Sequence, residues 1–357
     1  MAKILLKELA HSYVPEPKTD ADWALKPLTL ECADGSAYAL LGPSGCGKTT
    51  LLNLISGLLA PTKGRIFFDE RDVTGASPEE RNIAQVFQFP VIYDTMTVYD
   101  NLAFPLRNRR VAAAETDRRV REVAKMLELG AMLDRRASGL TADTKQKISL
   151  GRGLVRSDVN VIMFDEPLTV IDPHLKWVLR SQLKELHQRI GRTMIYVTHD
   201  QTEALTFAEK VVVMKDGEVV QIGTPIELFE TPNHTFVGHF IGSPGMNILQ
   251  CSVKGGRVTV AGTPIETANA GNYRGKGKKL ELGVRPEFVK FADSGMPVNV
   301  VKVLDVGRYR IVETRNAKNV VKLLVPEDEP IPTGRAHLHF DPGHSRIYED
   351  GWVVGAR

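Results

Sequence analysis

The segment Gly42–Thr49, GPSGCGKT, most constrains what this chain can fold into. It follows the apolar run AYALL of residues 37–41 and leads into a helical segment. The pattern is GxxxxGK[ST], in which glycines let backbone N–H groups close around a phosphate at the N-terminus of a helix. We therefore expect a buried strand, a phosphate-binding loop and a helix, with Lys48 directed to the β- and γ-phosphates and the Thr49 hydroxyl suited to Mg²⁺.

The residues expected to bind ATP belong to this loop and to the start of the following helix. They are Gly42, Pro43, Ser44, Gly45, Cys46, Gly47, Lys48, Thr49 and Thr50. Cys46 is interpreted as a small residue that fills the loop, although a thiol at this place could be alkylated. A chance match to a glycine-rich turn is the alternative, and the flanking strand and helix argue against it.

Two more apolar strands are expected at Val161–Asp165 (VIMFD) and Met194–Thr198 (MIYVT). Helical spacing of apolar residues relates Val120, Val123, Ala124 and Leu127, and again Leu175, Val178, Leu179, Leu183 and Leu186. Apolar strands that alternate with amphipathic helices predict a parallel sheet covered on both faces. A hairpin that turns at Asp216–Gly217 follows. The predicted class of this part is an α/β P-loop nucleotide-binding domain.

The character of the chain changes near Ser243-Pro244-Gly245. Downstream lie short strand-like runs (VTV, LELGV, VNVVKVL, VVKLLV, AHLHF) separated by Gly, Pro and Asp, with no long helical stripe. This pattern is typical of a small all-β barrel or sandwich. We therefore expect a nucleotide-binding domain over residues 1–240 and a β domain over residues 241–357.

Polar residues follow three of the expected strands. Asp165 and Glu166 end the VIMFD strand, where Asp165 would face Mg²⁺ through water and Glu166 would polarise the attacking water. His199 follows MIYVT, and Gln88 follows another apolar strand. The alternatives are two solvated carboxylates and a structural histidine. Their position after strands that end at one edge of a sheet favours a shared catalytic site.

This set resembles the ABC transporter ATPases, with Walker A at Gly42–Thr49, the Q-loop at Gln88 and Walker B at Val161–Glu166. The D-loop would end at Asp172, and His199 would be the switch histidine. The resemblance implies ATP and Mg²⁺ as cofactors. It also implies that Glu166, His199 and Gln88 are catalytic, that Thr49, Gln88 and Asp165 serve the metal, and that Tyr13 stacks on adenine. The stretch between Tyr13 and the Walker A strand is longer than usual, so an ordinary tyrosine is the alternative.

Three stretches resemble the ATPases of importers for sugars, glycerol phosphate and polyols: QVFQFPVIYDTMTVYDNLAFPL, THDQTEALTFAEKVVVMKDGEVVQIGTPIELFETP and the LGxRPE-like segment Leu282–Glu287. The resemblance implies a helical subdomain over about 89–158 and a C-terminal OB-like (TOBE) regulatory domain. It also implies two transmembrane permease subunits, a periplasmic or extracellular substrate-binding protein, and a peripheral position on the cytoplasmic face of the inner (plasma) membrane.

The family completes each ATP site with an LSGGQ signature from a second subunit, and here the corresponding residues are Leu140-Thr141-Ala142-Asp143-Thr144. Ala142 and Asp143 replace two glycines. A unit charge pair about 4 Å apart at a dielectric near 20 is worth roughly 4 kcal/mol, and for Asp143 against triphosphate the sign is repulsive. Pairing with Lys145 or protonation could soften this. Thr141, Ala142, Asp143 and Asp172 are thus expected at a dimer interface.

Because the chain's own Walker residues are intact, the expected assembly is a heterodimer with a second ABC ATPase that carries a normal LSGGQ-type signature. The LTADxKQKISLGRGLVR form resembles one of the paired ATPases of glycerol-type importers. Glycerol is therefore the first-choice cargo, followed by a sugar or glycerol 3-phosphate. Other subunits select the substrate, so this choice rests on family analogy alone.

Composition gives no support to a nucleic-acid-binding or disulfide-rich class of protein. A net charge of +3 does not argue for nucleic acid, and we expect no nucleic-acid partner. The run RGKGKK at residues 274–279 lacks interleaved aromatic residues and is interpreted as a solvated loop. Several arginines are interpreted as the solvent-exposed face of a helical subdomain: Arg107, Arg109, Arg110, Arg118, Arg119 and Arg121. Three scattered cysteines favour a reducing compartment over a disulfide framework.

No segment reaches the roughly 20 apolar residues needed to span a bilayer, and the N-terminus has no signal-peptide pattern. Two rival functions remain. One is a soluble ABC ATPase that acts on nucleic acid or ribosomes, although the single Walker A motif speaks against it. The other is a catalytically idle interaction subunit, although Glu166 and His199 speak against that.

Overall fold

The computed structural model describes residues 2–156, 158–275 and 279–355. The chain divides into two compact units, Met1–Pro225 and Ile226–Arg357. The strands of the first unit are β1 Ile4–His11, β2 Leu25–Cys32, β3 Ala37–Leu41, β4 Lys63–Phe68, β5 Arg71–Asp72, β6 Ile83–Val86, β7 Val161–Asp165, β8 Thr193–Thr198, β9 Lys210–Lys215 and β10 Glu218–Gly223. Its helices are α1 Lys48–Ser56, α2 Val98–Asn108, α3 Ala113–Met126, α4 Ala142–Leu154, α5 Pro173–Ile190 and α6 Gln201–Phe207.

The central sheet of the first unit has six strands in the order β10-β9-β3-β8-β7-β6. Strand β3 runs parallel to β8 and β9, and β7 runs parallel to β6 and β8. The predicted α/β class and parallel sheet are confirmed. Because β3, β7 and β8 point the same way, the residues that follow each of them meet at one edge of the sheet.

A separate antiparallel sheet, β2-β1-β4-β5, completes the unit. The hairpin β9–β10 turns at Asp216 and Gly217, which both have positive φ, as a two-residue hairpin turn requires. Helix α5 carries the predicted apolar stripe: Leu179, Leu183 and Leu186 are buried. It begins after Asp172, whose side chain accepts from the N–H of His174, so the D-loop aspartate is also a helix cap.

Helices α2, α3 and α4 pack together within residues 98–154. A Cβ on Gly151 of α4 would collide with the side chain of Leu102 on α2, so glycine permits this close approach. The arginines on the outer side of α3 are held by acidic neighbours one turn away. Arg119 and Arg118 lie 2.6 and 2.7 Å from Glu115, and Arg121 lies 2.9 Å from Asp117. These pairs satisfy the arginines locally and leave no reason to assign them an external partner.

The second unit is almost entirely β. It contains α7 Pro225–Glu230 (which starts at the last residue of the first unit), α8 Thr235–Phe240, β11 Asn247–Gln250, β12 Ser252–Lys254, β13 Arg257–Val260, β14 Thr263–Ile265, β15 Leu280–Val284, β16 Val289–Ala292, β17 Met296–Asp305, β18 Tyr309–Asn316, β19 Asn319–Pro326, β20 Arg335–Phe340, β21 Arg346–Glu349 and β22 Trp352–Val353. Its sheets are β11-β15-β21-β22, β12-β13-β14 and β16-β20-β17-β18-β19. Every strand-like run singled out in the sequence lies within one of these strands.

The LGVRPE segment holds this unit together through Arg285. The guanidinium is buried and donates to the backbone carbonyls of Leu228, Phe229, Gly238 and Ile241 at the ends of α7 and α8. Burial lowers the pKa of Arg285 to about 10. Arginine suits this place because one planar fork satisfies several carbonyls that have no partner within their own helices.

Several smaller expectations can be placed. All three cysteines are free. Among the helices of the described ranges, none combines the length and the apolar character needed to cross a bilayer. Of the basic run at 274–279, residues 276–278 lie outside the described residues; Arg274 is exposed and donates to carbonyls of its own loop, and Lys279 pairs with Glu281 at 2.7 Å.

Candidate functional site

The loop between β3 and α1 is folded around its own lysine. Lys48 is 5% exposed, and its Nζ donates to the carbonyls of Gly42 at 2.8 Å and of Pro43 at 2.9 Å. Both acceptors are uncharged backbone groups, so the ammonium lacks a carboxylate partner within the loop. A buried cation whose oxygen acceptors are both backbone carbonyls is well suited to exchange one of them for a phosphate oxygen.

Two glycines have the conformations that a phosphate-binding loop needs. Gly47, which caps α1, has a φ of +99°, and a Cβ there would lie 2.6 Å from the carbonyl oxygen of Ala24. At Gly45 the φ is +80° and a Cβ would meet nothing within 4 Å, so the backbone on that side is open. The residues present therefore fit a phosphate chain held by backbone N–H groups at the helix N-terminus.

Cys46 fills the base of this loop. Its side chain is buried, and burial raises the pKa of its thiol, although the nearby Lys48, whose Nζ lies 3.9 Å from Sγ, opposes the shift. The thiol is therefore mostly protonated and shielded. This agrees with its interpretation as a space-filling residue, and alkylation would need the loop to open.

Asp165, at the end of β7, faces the loop. Its Oδ1 atom lies 3.3 Å from the Thr49 hydroxyl, which donates to it. Burial, with a smaller contribution from Glu166, raises the pKa of Asp165, while the Thr49 hydrogen bond and Lys48 lower it. A hydroxyl and a carboxylate oxygen, both hard donors, are the ligands that Mg²⁺ prefers. The Thr49 hydroxyl and the Asp165 carboxylate therefore fit a magnesium ion, whose positive charge would balance that of the buried carboxylate.

Glu166 and His199 meet across the sheet edge. Nδ1 of His199 lies 3.0 Å from Oε2 of Glu166, and the Thr169 hydroxyl lies 3.4 Å from the same oxygen. The backbone of Glu166 has a φ of +46°, which is rare for a residue with a side chain, and its N–H donates to the Val197 carbonyl at 3.0 Å. Strained backbone held by a neighbouring strand is common where a side chain is aimed for chemistry.

Glu203 is a supporting residue that sequence reasoning missed. It is 3% exposed and accepts hydrogen bonds from Tyr196 at 3.0 Å and from Thr198 at 2.9 Å, while Lys176 lies 3.6 Å away. These contacts fix the end of β8 immediately before His199. The sequence gives no signal for this role, because Glu203 reads as an ordinary residue in the first turn of α6.

Tyr13 lies beside the phosphate loop. Its hydroxyl is 3.2 Å from that of Thr50, its ring makes an edge contact with His11 at 4.7 Å, and it is 66% exposed. It lines a cleft of about 290 Å³ together with Ala24, Ser44, Gly45, Gly47, Lys48, Thr49, Thr50 and Glu166. An exposed ring at the rim of a phosphate-binding cleft is available for stacking on a base.

The other predicted site residues do not line this cleft. Gln88 follows β6 and is half-buried. His199 reaches the cleft only through Glu166. The four residues expected at a dimer interface, Thr141, Ala142, Asp143 and Asp172, are not among the residues that line the cleft. A separate surface for the signature is what a site shared between two subunits requires.

The signature segment begins helix α4. Thr141 caps the helix and accepts from the N–H of Thr144, so helical structure starts at Ala142. One carboxylate oxygen of Asp143, Oδ1, is buried without a hydrogen-bond partner within the described residues. The suggestion that Lys145 pairs with Asp143 is wrong, because the Lys145 amine lies 2.8 Å from Asp94. Asp94 lies in the segment that follows Gln88. Because the Lys145 ammonium is paired with Asp94, it does not compensate the negative charge of Asp143.

A groove of about 300 Å³ lies between the Q-loop segment and α2 and α4. Its walls include Gln85, Phe87, Val91, Phe104 and Arg152. The Arg152 guanidinium lies over the ring of Tyr93 at 4.8 Å and donates to the Val91 carbonyl. Both polar atoms of the Gln85 side chain are buried and have no partner in the described part of the chain. A groove that combines apolar walls with an unsatisfied amide is suited to receive a polypeptide segment.

Comparisons with known proteins agree with this arrangement. Residues 25–169 match the family described as ABC transporter, and residues 242–289 match the MalK OB fold domain. The chain is 40% identical to the sn-glycerol-3-phosphate import ATP-binding protein UgpC of Salmonella paratyphi A (strain ATCC 9150 / SARB42) over 334 residues, which cover 92% of this chain and 93% of that protein. The corresponding protein of Bordetella avium (strain 197N) is 40% identical over 296 residues, 82% of each chain.

Two solved structures resemble a large part of the chain. An ATP-binding cassette in a dimeric post-hydrolysis state, bound to ADP and Pi, aligns with a TM-score of 0.55 and 28% identity over 62% of this chain and 98% of that chain. A part of the ABC transporter complex cbiONQ from Clostridium perfringens aligns with a TM-score of 0.57 and 28% identity over 64% of this chain and 90% of that chain.

Proposed function

The chain belongs to the ABC transporter ATP-binding proteins, as an importer ATPase with a C-terminal OB-fold unit, and we propose that it energises uptake of a small polyol, of its phosphate ester or of a small sugar. The observation that carries this proposal is that Lys48, Thr49 and Glu166 line one cleft, with Asp165 hydrogen-bonded to Thr49 beside it. Lys48 and Thr49 begin α1, and Asp165 and Glu166 follow one another at the end of β7; together they have the chemistry that phosphoryl transfer to water needs.

In this proposal the chain's own residues divide the work of hydrolysis. Lys48 exchanges a loop carbonyl for a phosphate oxygen, and the glycine-loop N–H groups hold the phosphate chain in place. Glu166 accepts hydrogen bonds from the attacking water and orients it. His199 and Thr169 hold the Glu166 carboxylate through contacts with its Oε2 atom. Mg²⁺, held by Thr49 and Asp165, with Gln88 as a further proposed ligand, would neutralise charge on the phosphates.

The proposed membrane partners would contact the surface formed by the segment after Gln88. The groove beside Gln85 and Arg152 has both apolar and polar walls, and Phe89, Val91 and Tyr93 are exposed by 69%, 53% and 41%. We assign this surface to a helical segment from one of two transmembrane permease subunits, whose side chains or unpaired helix-end groups would pair with the unsatisfied Gln85 amide. The chain would then act at the inner face of the membrane, together with a substrate-binding protein on the other side.

The dimer is proposed to contain two different ATPases. The support is electrostatic: Asp143 stands where the family places a glycine against the γ-phosphate, and its nearest lysine in sequence is engaged by Asp94. A site built from two copies of this chain would contain that carboxylate twice. A partner ATPase whose signature has glycine at this position would complete the ATP site on this chain's Walker residues without electrostatic repulsion of the γ-phosphate. Homodimers of this chain are the competing assembly.

The relatives named above are sn-glycerol-3-phosphate import proteins, whereas the LTADxK form of the signature favours glycerol. The candidate cargoes are therefore glycerol, glycerol phosphate and small sugars. The chain, its partner ATPase, the permeases and the binding protein should be reconstituted in liposomes, and ATP hydrolysis measured with each cargo. The proposal requires cargo-stimulated hydrolysis. Stimulation by oligonucleotides or ribosomes instead, or no hydrolysis with any cargo, would favour the rival functions.

A further inference from the structure

A cleft of about 460 Å³ lies in the second unit and has no part in the ATPase site. It is built on strand β17, which β18 and β20 flank. Asn299 of β17 is the register partner of both Arg315 on β18 and Arg335 on β20. Residues directly opposite one another in a sheet project from the same face, so the three side chains form one row. Two positions along, Pro297 is paired with His337, which adds an imidazole to the same face.

The charge in this row is one-sided. No acidic residue lines the cleft, and neither Arg315 nor Arg335 lies within ion-pair distance of a carboxylate anywhere in the described ranges. The nearest acidic residue along β18 is Glu313, which is held by Lys322 at 3.6 Å. Neighbouring strands lie roughly 5 Å apart, so two arginines separated by one strand repel each other. An anion between them would replace repulsion with attraction.

The side chains also define the kind of anion. Guanidinium groups bind phosphate oxygens through two parallel hydrogen bonds, and a pair of them can hold one phosphate from both sides. The Asn299 amide between them supplies a further donor. The volume of about 460 Å³ is within the range of small-molecule sites and larger than one phosphate needs. The residue chemistry thus fits a phosphate group attached to a small carbon skeleton.

We propose that this cleft binds a phosphorylated small metabolite, with Arg315 and Arg335 holding its phosphate group. The site is distinct from the ATP cleft, since its residues all belong to the second unit. The proposal does not depend on the transport function assigned above. It gives the OB-fold unit a ligand that carries a phosphate, the same chemical group that the first unit hydrolyses from ATP.

The test uses the full chain with Lys48→Ala, which weakens phosphate binding at the ATP loop. Calorimetric titration with glycerol 3-phosphate, glycerol, inorganic phosphate and a single-stranded oligonucleotide compares the ligand classes. We expect glycerol 3-phosphate to bind with a Kd below about 1 mM (−4.1 kcal/mol) and glycerol not to bind. In the same background, Arg315→Gln with Arg335→Gln should weaken binding at least tenfold. The control pair Arg257→Gln with Arg308→Gln, which removes equal charge elsewhere in the unit, should not.

Circular dichroism of every variant establishes that the fold is kept, and chemical-shift changes at Asn299 give a second readout of binding at the cleft. Equal affinity for inorganic phosphate and glycerol 3-phosphate, lost with both arginines, would overturn the metabolite as the ligand, because the carbon skeleton would then contribute nothing to binding. Tighter binding of the oligonucleotide at the same arginines would overturn the proposal. So would binding that both arginine pairs reduce equally, or the absence of binding by any phosphate compound.

Discussion

Nδ1 of His199 lies 3.0 Å from Oε2 of Glu166, although the two residues are 33 positions apart and follow different strands. The contact exists because β7 and β8 are parallel neighbours and end at the same edge. It joins the residue proposed to orient water to the histidine proposed to hold that residue's carboxylate in place. Their roles can therefore be separated only by measurements that distinguish turnover from binding.

Glu166→Gln should keep ATP binding and lower turnover of the assembled transporter by about 10² or more, which is the usual cost of losing a positioned general base. The amide keeps the shape of the side chain but accepts a proton far less readily. Steady-state hydrolysis and equilibrium nucleotide binding should be measured together. Glu185→Gln, an exposed residue of α5, serves as the control. Turnover within threefold of the unmodified chain would remove Glu166 from this role.

His199→Ala should abolish transport while nucleotide affinity changes by less than about threefold, because His199 does not line the cleft and contacts Glu166. Transport in proteoliposomes and nucleotide titration check the two parts. His239→Ala, at an exposed histidine of the second unit, is the matched control. A collapse of ATP affinity would show instead that the imidazole supports the folded loop.

Asp143 should make this chain a weak ATPase alone and an active one with its partner. Changing Ala142→Gly and Asp143→Gly together should raise hydrolysis by the isolated chain at least tenfold, which needs only about 1.4 kcal/mol of the repulsion. The single change Asp143→Asn removes the charge but keeps the side chain, so it separates repulsion from backbone crowding. If the unmodified chain alone hydrolyses ATP as fast as the mixed complex, the asymmetric pair is refuted.

Asp165→Asn should stabilise the nucleotide-free chain at neutral pH and abolish Mg²⁺-dependent hydrolysis. Burial raises the pKa of Asp165, so its stabilising contribution is present at low pH and is lost as pH rises through that pKa. The variant's advantage, about 0.5–2 kcal/mol, should therefore grow from about pH 4, near the ordinary pKa of aspartate, to pH 7. Denaturant midpoints across this range test it, with exposed Asp134→Asn as the control. An advantage that shrinks over the same range would contradict the assignment.

Tyr13→Ala should weaken ATP binding by about tenfold or more, since stacking of a base on an aromatic ring contributes roughly 1–3 kcal/mol. Tyr13→Phe removes only the contact with the Thr50 hydroxyl and should leave affinity within about threefold. Fluorescent-nucleotide titration distinguishes the two. Equal affinities for all three chains would return Tyr13 to the status of an ordinary surface tyrosine.

Much of the fold was predictable because it is encoded locally. The run AYALL before GPSGCGKT specifies a buried strand, a tight loop and a helix; β3 covers AYALL, and α1 begins at Lys48. Asp216–Gly217 specifies its hairpin through positive φ, which those two residues adopt at low cost. The short alternating runs after residue 245 likewise predicted the strands of the second unit.

Side-chain contacts between different secondary-structure elements were much harder to predict from the sequence. Glu203, which fixes the end of β8, and Lys145, which pairs with Asp94 rather than Asp143, depend on which surfaces pack together. The same holds for the row Arg315, Asn299 and Arg335, since strand order β20-β17-β18 is not sequential. Register across three strands brings these side chains to one face, and no spacing along the chain reveals it.

The sequence alone determined the chemistry that is available: a phosphate loop, two carboxylates after an apolar strand, a histidine after another, and a signature that carries a carboxylate. These follow from residue type and short-range spacing. The tertiary structure decided which of these groups share a cleft, which are buried and with which partners, because parallel pairing of distant strands sets those distances. Electrostatic consequences such as the raised pKa of Asp165 follow from burial, and burial is a property of the packed chain.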